Sequence, residues 1–416
     1  MVDRMGVDAI WSARAKAFWR DSSPYLRYMA QSGVPLVAAL LFLTGASFYT
    51  SFIHRVPPDF PYTLVGTLLL LPFICWSPMR TWLSEADIVF LMPRENEMDR
   101  YIRRSFRYNL IPGVILASIV FLVFSLLYVQ GPGLLPWYLM LVVVVLLKLL
   151  NAAGAWRDRR LAWTHARRGM RLLRWAVTGV CLAAWLQTAP WMAALLTAAA
   201  AALMVLLYGR LNSYRFPWLT LIREETRTKR RYMVFFSAFT DVPSESAQVS
   251  ARRYLTWIIR RLTYRNENTF VYLYAHTLLR TELGGIVLRL TALGMLSGWL
   301  AAYSGLWSGW GTAGVYLLFV WLTGLQLSSL TQSHRYSVWR HVYPLPEQSR
   351  LQAVLRVDRV ASLVCAAVLW LPLILLLPRQ GYIAAAITGA LLGVVYILWM
   401  RPGGLKRKFT ADLEED

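Results

Sequence analysis

Residues Tyr108 to Val129 read YNLIPGVILASIVFLVFSLLYV, 22 consecutive positions without an Asp, Glu, Lys, Arg or His. At ~1.5 Å of rise per residue, a helix of that length crosses the ~30 Å hydrocarbon core of a bilayer. Working outward from it, nine further apolar runs follow the same reading: Val34 to Ile53, Tyr62 to Trp76, Leu134 to Leu150, Leu172 to Leu186, Trp191 to Tyr208, Leu283 to Tyr303, Thr312 to Leu330, Val360 to Leu377 and Tyr382 to Met400. The run at Tyr62 is short and holds Pro72, while the one at Leu172 begins among arginines. The expected fold is all-α, a polytopic membrane protein of about ten spans with amphipathic helices on its cytoplasmic surface.

Composition agrees: 57% of the 416 residues are hydrophobic and 16% charged. Trp137, Trp191, Trp310, Tyr382 and Trp399 stand at the ends of apolar runs, where aromatic belts sit. The net charge of +22 is informative through its placement. With the N-terminus inside, and the stretch before the Leu172 run counted through Arg174, 40 of the 44 Lys and Arg fall in cytoplasmic stretches, and only Arg55, Lys148, Arg289 and Arg379 lie elsewhere. Lys148 and Arg289 are close enough to the cytoplasmic ends of their spans to snorkel. Both termini are therefore expected in the cytoplasm, and the charge marks topology rather than nucleic-acid binding. The expected organisation is a polar segment over 1–33, spans over 34–208 with cytoplasmic loops 78–107 and 155–171, a basic loop over 209–282, spans over 283–400 with loop 331–359, and a tail over 401–416.

Several chemistries are excluded. There is no G-x-x-x-x-G-K-[ST] phosphate loop, so the chain is not expected to hydrolyse ATP, and no H-E-x-x-H or nucleophile elbow occurs. The five histidines are scattered, and Cys75, Cys181 and Cys365 form no C-x-x-C pair, so neither a metal nor any other cofactor is expected on this chain. Within the spans the most polar patch is Thr323, Gln326, Ser328 and Ser329, which suits a substrate path or helix-to-helix hydrogen bonding.

The cytoplasmic stretches carry more pattern. Glu85, Asp87, Pro93 and Glu95 precede Met98, Tyr101, Ile102, Ser105 and Phe106 at helical spacing, with Arg100, Arg103, Arg104 and Arg107 around them. Pro93 suits a first helical turn, and the acids and arginines match the two ends of the helix dipole, so an amphipathic surface helix is expected. A weaker copy follows 253 residues later, where Pro346, Leu351, Val354, Leu355 and Arg356 align with Pro93, Met98, Tyr101, Ile102 and Arg103. The loop over 209–282 holds Phe239 to Pro243, with Asp241, and then Ser250 to Leu262, where apolar residues alternate with Arg252, Arg253, Arg260 and Arg261. One or two surface helices are expected there.

Together these stretches resemble the permease subunit of Ecs-type bacterial ABC transporters, the EcsB family. The resemblance is carried by Ser77-Pro78-x-Arg80-Thr81 with Glu85-x-Asp87 and Leu91-x-Pro93-x-Glu95, by Phe239 to Pro243 with Arg252-Arg253-x-Leu255, and by Tyr272-Leu273-Tyr274, Leu279-Arg280 and Arg289-Leu290-Thr291. It implies a Gram-positive setting, a separate cytoplasmic ATPase of the Ecs type that holds ATP and Mg, and a role in clearing or exporting peptides linked to secretion and membrane proteolysis. A second permease copy is expected as a further partner. Glu85, Asp87, Pro93, Glu95, Arg103, Asp241, Arg253, Pro346 and Arg356 are the candidates for coupling to the ATPase or gating. The rival readings are a scaffold that regulates a protease or secretion system, which a stoichiometric ATPase partner would exclude, and a membrane-embedded enzyme acting on lipids or peptides. The enzyme would need converging acids or histidines, and outside the membrane the sequence offers only His54 and Asp59.

Overall fold

The computed structural model describes residues 6–31, 33–131, 133–161, 163–209, 216–237, 265, 268–333 and 346–414. Among the described residues there is no strand. The helices are α1 (Val7–Gln31), α2 (Val34–Ile53), α3 (Tyr62–Cys75), the short α4 (Asp87–Phe90), α5 (Met98–Tyr128), α6 (Trp137–Arg159), α7 (Thr164–Gln187), α8 (Pro190–Gly209) and α9 (Trp218–Ser237). There follow α10 (Thr269–Arg280), α11 (Glu282–Ser304), α12 (Trp310–Leu327), α13 (Glu347–Leu376), α14 (Ile383–Val395) and α15 (Arg401–Glu414).

Among the described residues, eight helical stretches are long and apolar enough to cross a bilayer. The two remaining runs read from the sequence become α3, which at 14 residues spans about 21 Å, and α7, whose first turns carry Arg167, Arg168, Arg171 and Arg174. Leu68, Leu122, Leu146, Leu195 and Leu206 remain outward-facing, as side chains in contact with lipid do.

Two compact units separate, one from Met1–Tyr28 and Val56–Val242, the other from Met29–Arg55 and Pro243–Asp416. In the first, α3 packs on α5 and α7, α6 joins α5 to α7, and α8 lies on α7. In the second, α2 packs on α11, which also meets α12 and α13, while α14 lies on α12 and α10 on α13. Thus α2 belongs with the later spans although it precedes the spans of the first unit in the chain.

Two local outcomes differ from the sequence reading. The N-terminal stretch, read as a polar segment, forms α1 and buries Val7, Ile10, Trp11 and Ala15 at i, i+3, i+4 and i+8 in a core with Leu91, Met98, Tyr101 and Leu221. Burial of Val7 and Ile10 contributes about 1.5–3 kcal/mol each relative to exposure, enough with Trp11 to fix a helix whose opposite face is charged. The amphipathic residues after Pro93 do not form a separate surface helix. They are the first turns of α5, a single helix of 31 residues and about 46 Å, because no residue between Met98 and Ile111 breaks it. The same holds for the copy after Pro346, which opens the 30-residue α13.

Candidate functional site

The chain leaves α3 at Trp76, four residues after Pro72, and is not helical again until Asp87. A coil between two spans would ordinarily lie in solvent, yet Met79, Arg80, Thr81, Trp82 and Leu83 are all buried. Its backbone polar groups must then be satisfied by other means, and side chains from four helices do this one peptide at a time. Lys148 of α6 donates to the Phe73 and Trp76 carbonyls at 2.9 and 2.6 Å, completing the end of α3. Arg159 of α6 donates to the Ser77 carbonyl at 2.9 Å. Asn109 of α5 accepts from the Arg80 N–H at 3.0 Å and donates to the Arg80 carbonyl at 3.2 Å. Glu225 of α9 accepts from the Thr81 N–H at 2.8 Å, and the Tyr101 hydroxyl donates to the Thr81 carbonyl at 2.6 Å. Arg14 of α1 donates to the Trp82 carbonyl at 3.2 Å.

The same charged groups pair with one another. Arg80 meets Glu225 at 2.9 Å, Arg159 meets Glu224 at 2.7 Å, and Arg14 grips Asp87 through both of its terminal nitrogens. The Arg80 guanidinium is also enclosed by the rings of Phe18, Trp82 and Tyr232, at 4.4, 4.1 and 4.8 Å. Burial works against the Arg14 charge, but its hydrogen bonds and attraction to Asp87 outweigh that cost and hold the guanidinium above its usual value. Trp82 sits at φ +60°, a conformation a bulky residue adopts only when its surroundings impose it, here Arg14 on its carbonyl and Arg80 on its ring.

This framework presents α4 and the 3-10 turn Met92–Glu97. Asp87 accepts from the Ser84 N–H at 2.6 Å, Leu91 is buried beneath, and Val89, Phe90 and Met92 project outward with 72%, 68% and 47% of their surface free. A rigid base thus carries an exposed apolar ridge.

The sequence candidates distribute as follows. Asp87 is in the framework, and Glu95 accepts from the Trp218 indole N–H at 3.3 Å. Glu85, Pro93 and Arg103 are exposed around the ridge and the start of α5. Pro346 caps α13 and Arg356 is exposed on it, both in the other unit. Asp241 and Arg253, with the helices expected near them, lie outside the described residues. In the polar patch, Thr323, Ser328 and Ser329 donate to the α12 carbonyls of Phe319, Leu325 and Gln326, three or four residues back, Ser328 also accepts from Lys408 at 3.3 Å, and Gln326 is half-buried. Lys148 does not snorkel: only 2% exposed, it turns inward, where the last carbonyls of α3 lie within hydrogen-bond reach.

Sequence reasoning missed Arg14, Arg80, Lys148, Arg159, Glu224 and Glu225 as members of one site. It also missed a second buried network, where Arg174 of α7 donates to Asp158 and Asn151 of α6 and the Tyr208 hydroxyl of α8 donates to Asp158 at 2.7 Å. One signal was present. Glu224 and Glu225 are the only acids between Gly209 and Thr240, in a run otherwise crowded with Arg and Lys.

Apolar helices of spanning length, joined at their basic end by a charge-locked framework, define a multi-pass helical membrane protein. The chain belongs to the family described as "Bacterial ABC transporter protein EcsB", whose family model matches residues 8–391. It is accordingly an ABC-transporter-associated membrane protein, in agreement with the resemblance carried by its short motifs. Among curated proteins it is similar to Protein EcsB of Bacillus subtilis (strain 168), at 27% identity over 391 residues, which is 93% of each chain. No solved structure matches it.

Proposed function

We propose that this chain is the membrane-spanning permease of an ABC transporter, with both termini in the cytoplasm, and that a separate ATPase holding ATP and Mg docks on α4 and the turn that follows. The observation that carries this reading is the Val89, Phe90 and Met92 ridge on a base fixed by buried ion pairs. Apolar side chains held out on a rigid framework are what a partner groove can grip, and the framework reaches directly into α3, α5 and α6, so force applied there is delivered to spans. Membership of a family named for ABC transport and the absence of a phosphate loop from the chain favour a partner that supplies the hydrolysis. The chain itself then carries out no catalysis. It acts with a second permease copy and moves a peptide-like or amphipathic substrate.

The test is co-purification of tagged chain with its ATPase from the native host, for wild type and for Val89→Asp with Phe90→Asp. Wild type should retain a Walker-motif ATPase in fixed ratio, while the double variant, still folded, should lose it together with any change in ATP turnover. An ATPase held equally well by the double variant would remove α4 from the interface. A wild-type chain that brings no ATPase even after cross-linking would overturn the permease reading in favour of a scaffold.

A further inference from the structure

The coil after α3 and the facing parts of α5 and α6, with Trp19 of α1 and Tyr232 of α9, line a half-open cavity of about 430 Å³, towards the lower end of the ~300–1,000 Å³ typical of small-molecule sites. Its wall includes the aromatic side chains of Phe73, Trp76, Phe106, Tyr108 and Trp156, and extends to Gly113 and Leu116 inside the span formed by α5. Three cations line it, Arg80, Lys148 and Arg159, and no carboxylate does. The two arginines have counter-ions on α9, in Glu225 and Glu224. Lys148 has none among the described residues: its two hydrogen bonds go to neutral carbonyls.

An ammonium removed from water without an anion costs several kcal/mol, and such a residue inside a span marks a binding site unless something else answers its charge. Two further polar atoms on the lining residues are buried without a hydrogen-bond partner, Nη2 of Arg80 and Oγ of Ser77, and Arg80 is 95% buried. Gly113 adds a steric clue. A Cβ there would lie 3.0 Å from Cε of Lys148, so the glycine leaves room for the lysine to run along α5 to its place.

We propose that this cavity binds a single-chain amphiphile with an anionic head, the head pairing with Lys148 and the chain lying against Leu116 and the aromatic wall. A carboxylate or a phosphate head supplies the required chemistry. The volume suits one acyl chain rather than two, and the position of Gly113 and Leu116 within a span suits a ligand drawn from the bilayer. This deepens the permease reading by naming a ligand class. Binding is measured on this chain alone, so its failure is distinguishable from failure to capture an ATPase.

The full chain would be reconstituted in phosphatidylcholine nanodiscs, labelled with a diazirine-bearing palmitate, and mapped by peptide mass spectrometry. Labelling should concentrate on residues lining the cavity, such as Trp76, Gly113 and Leu116. Oleate should displace the label if the carboxylate head is accepted and lysophosphatidate if the phosphate head is, while methyl oleate, which lacks the charge, should not. Lys148→Gln should weaken labelling at least about tenfold. Gly113→Leu, which crowds both the cavity and the path of Lys148 along α5, should abolish it in protein that elutes as wild type. Displacement by methyl oleate as effective as by oleate would overturn the proposal, as would wild-type labelling of folded Gly113→Leu. Displacement by a hydrophobic peptide with a free C-terminus but by neither lipid would overturn it in favour of a peptide site. Should both variants misfold, the oleate and methyl oleate comparison on wild type still decides.

Discussion

Arg80 and Glu225, 145 residues apart, form an ion pair whose side chains are 6% and 8% exposed, and Glu225 simultaneously accepts the N–H of Thr81. One carboxylate therefore answers a buried charge and a buried peptide group together. Removing it leaves both without a partner, and breaking one member of a buried pair costs about 3–5 kcal/mol. Glu225→Ala and Glu225→Leu should both lower thermal stability in detergent sharply, whereas Arg80→Met added to Glu225→Leu should regain the share lost to the unpaired guanidinium but not the share lost to the Thr81 N–H. A double-mutant cycle reads this as coupling of about 3 kcal/mol, and additive single effects would show that the pair is not the unit.

In the second unit, Arg401 of α15 holds Asp358 of α13 through Nε at 2.7 Å and through a second nitrogen, and both side chains are buried. The guanidinium passes so close to α12 that a Cβ on Gly324 would overlap Nη1 of Arg401. Gly324→Ala should therefore act by displacing Arg401 rather than by altering α12, where alanine is otherwise the better helix former. Its destabilisation should resemble that of Arg401→Met and add little to it. Full additivity of the two in thermal unfolding would show that Gly324 and Arg401 are independent.

The spans were legible because about 20 apolar residues have few other destinations, and the interior residues of α5, α6 and α12 carry that signal without help. The helix α1 was legible in principle, since Val7, Ile10, Trp11 and Ala15 mark one face, but charged residues between them lower the mean hydropathy that draws attention to a segment. The framework was not legible. Its partners come from α1, α5, α6 and α9, and nothing in one sequence says which of many arginines will meet Glu224 or Glu225. Asp87 was recognised from its place beside Glu85 and Pro93, but its partner Arg14 lies 73 residues earlier. Lys148 was seen and read as snorkelling, because proximity to a span end is visible in sequence while the open carbonyls of α3, created by its early stop after Pro72, are not.

Asp87 is where the framework and the exposed ridge meet. Its carboxylate accepts from Arg14 and from the Ser84 N–H, fixing the first turn of α4, while Leu91 anchors the last. Asp87→Asn keeps an acceptor for Ser84 but removes the charge that holds Arg14, whose side chain is 30% exposed and so can regain part of its hydration. The loss should be about 1–2 kcal/mol, well below that of Glu225→Ala, and local. Hydrogen exchange over 84–92 should accelerate while α5, α6 and α9 keep their protection, because Arg80–Glu225 and Arg159–Glu224 do not depend on Asp87. If α4 is the docking element, this folded variant should bind the ATPase yet transmit its cycle poorly, since a loosened ridge moves without carrying α3 and α5 along. Unchanged exchange over 84–92 would mean that Leu91 and the surrounding apolar core fix α4 without the ion pair.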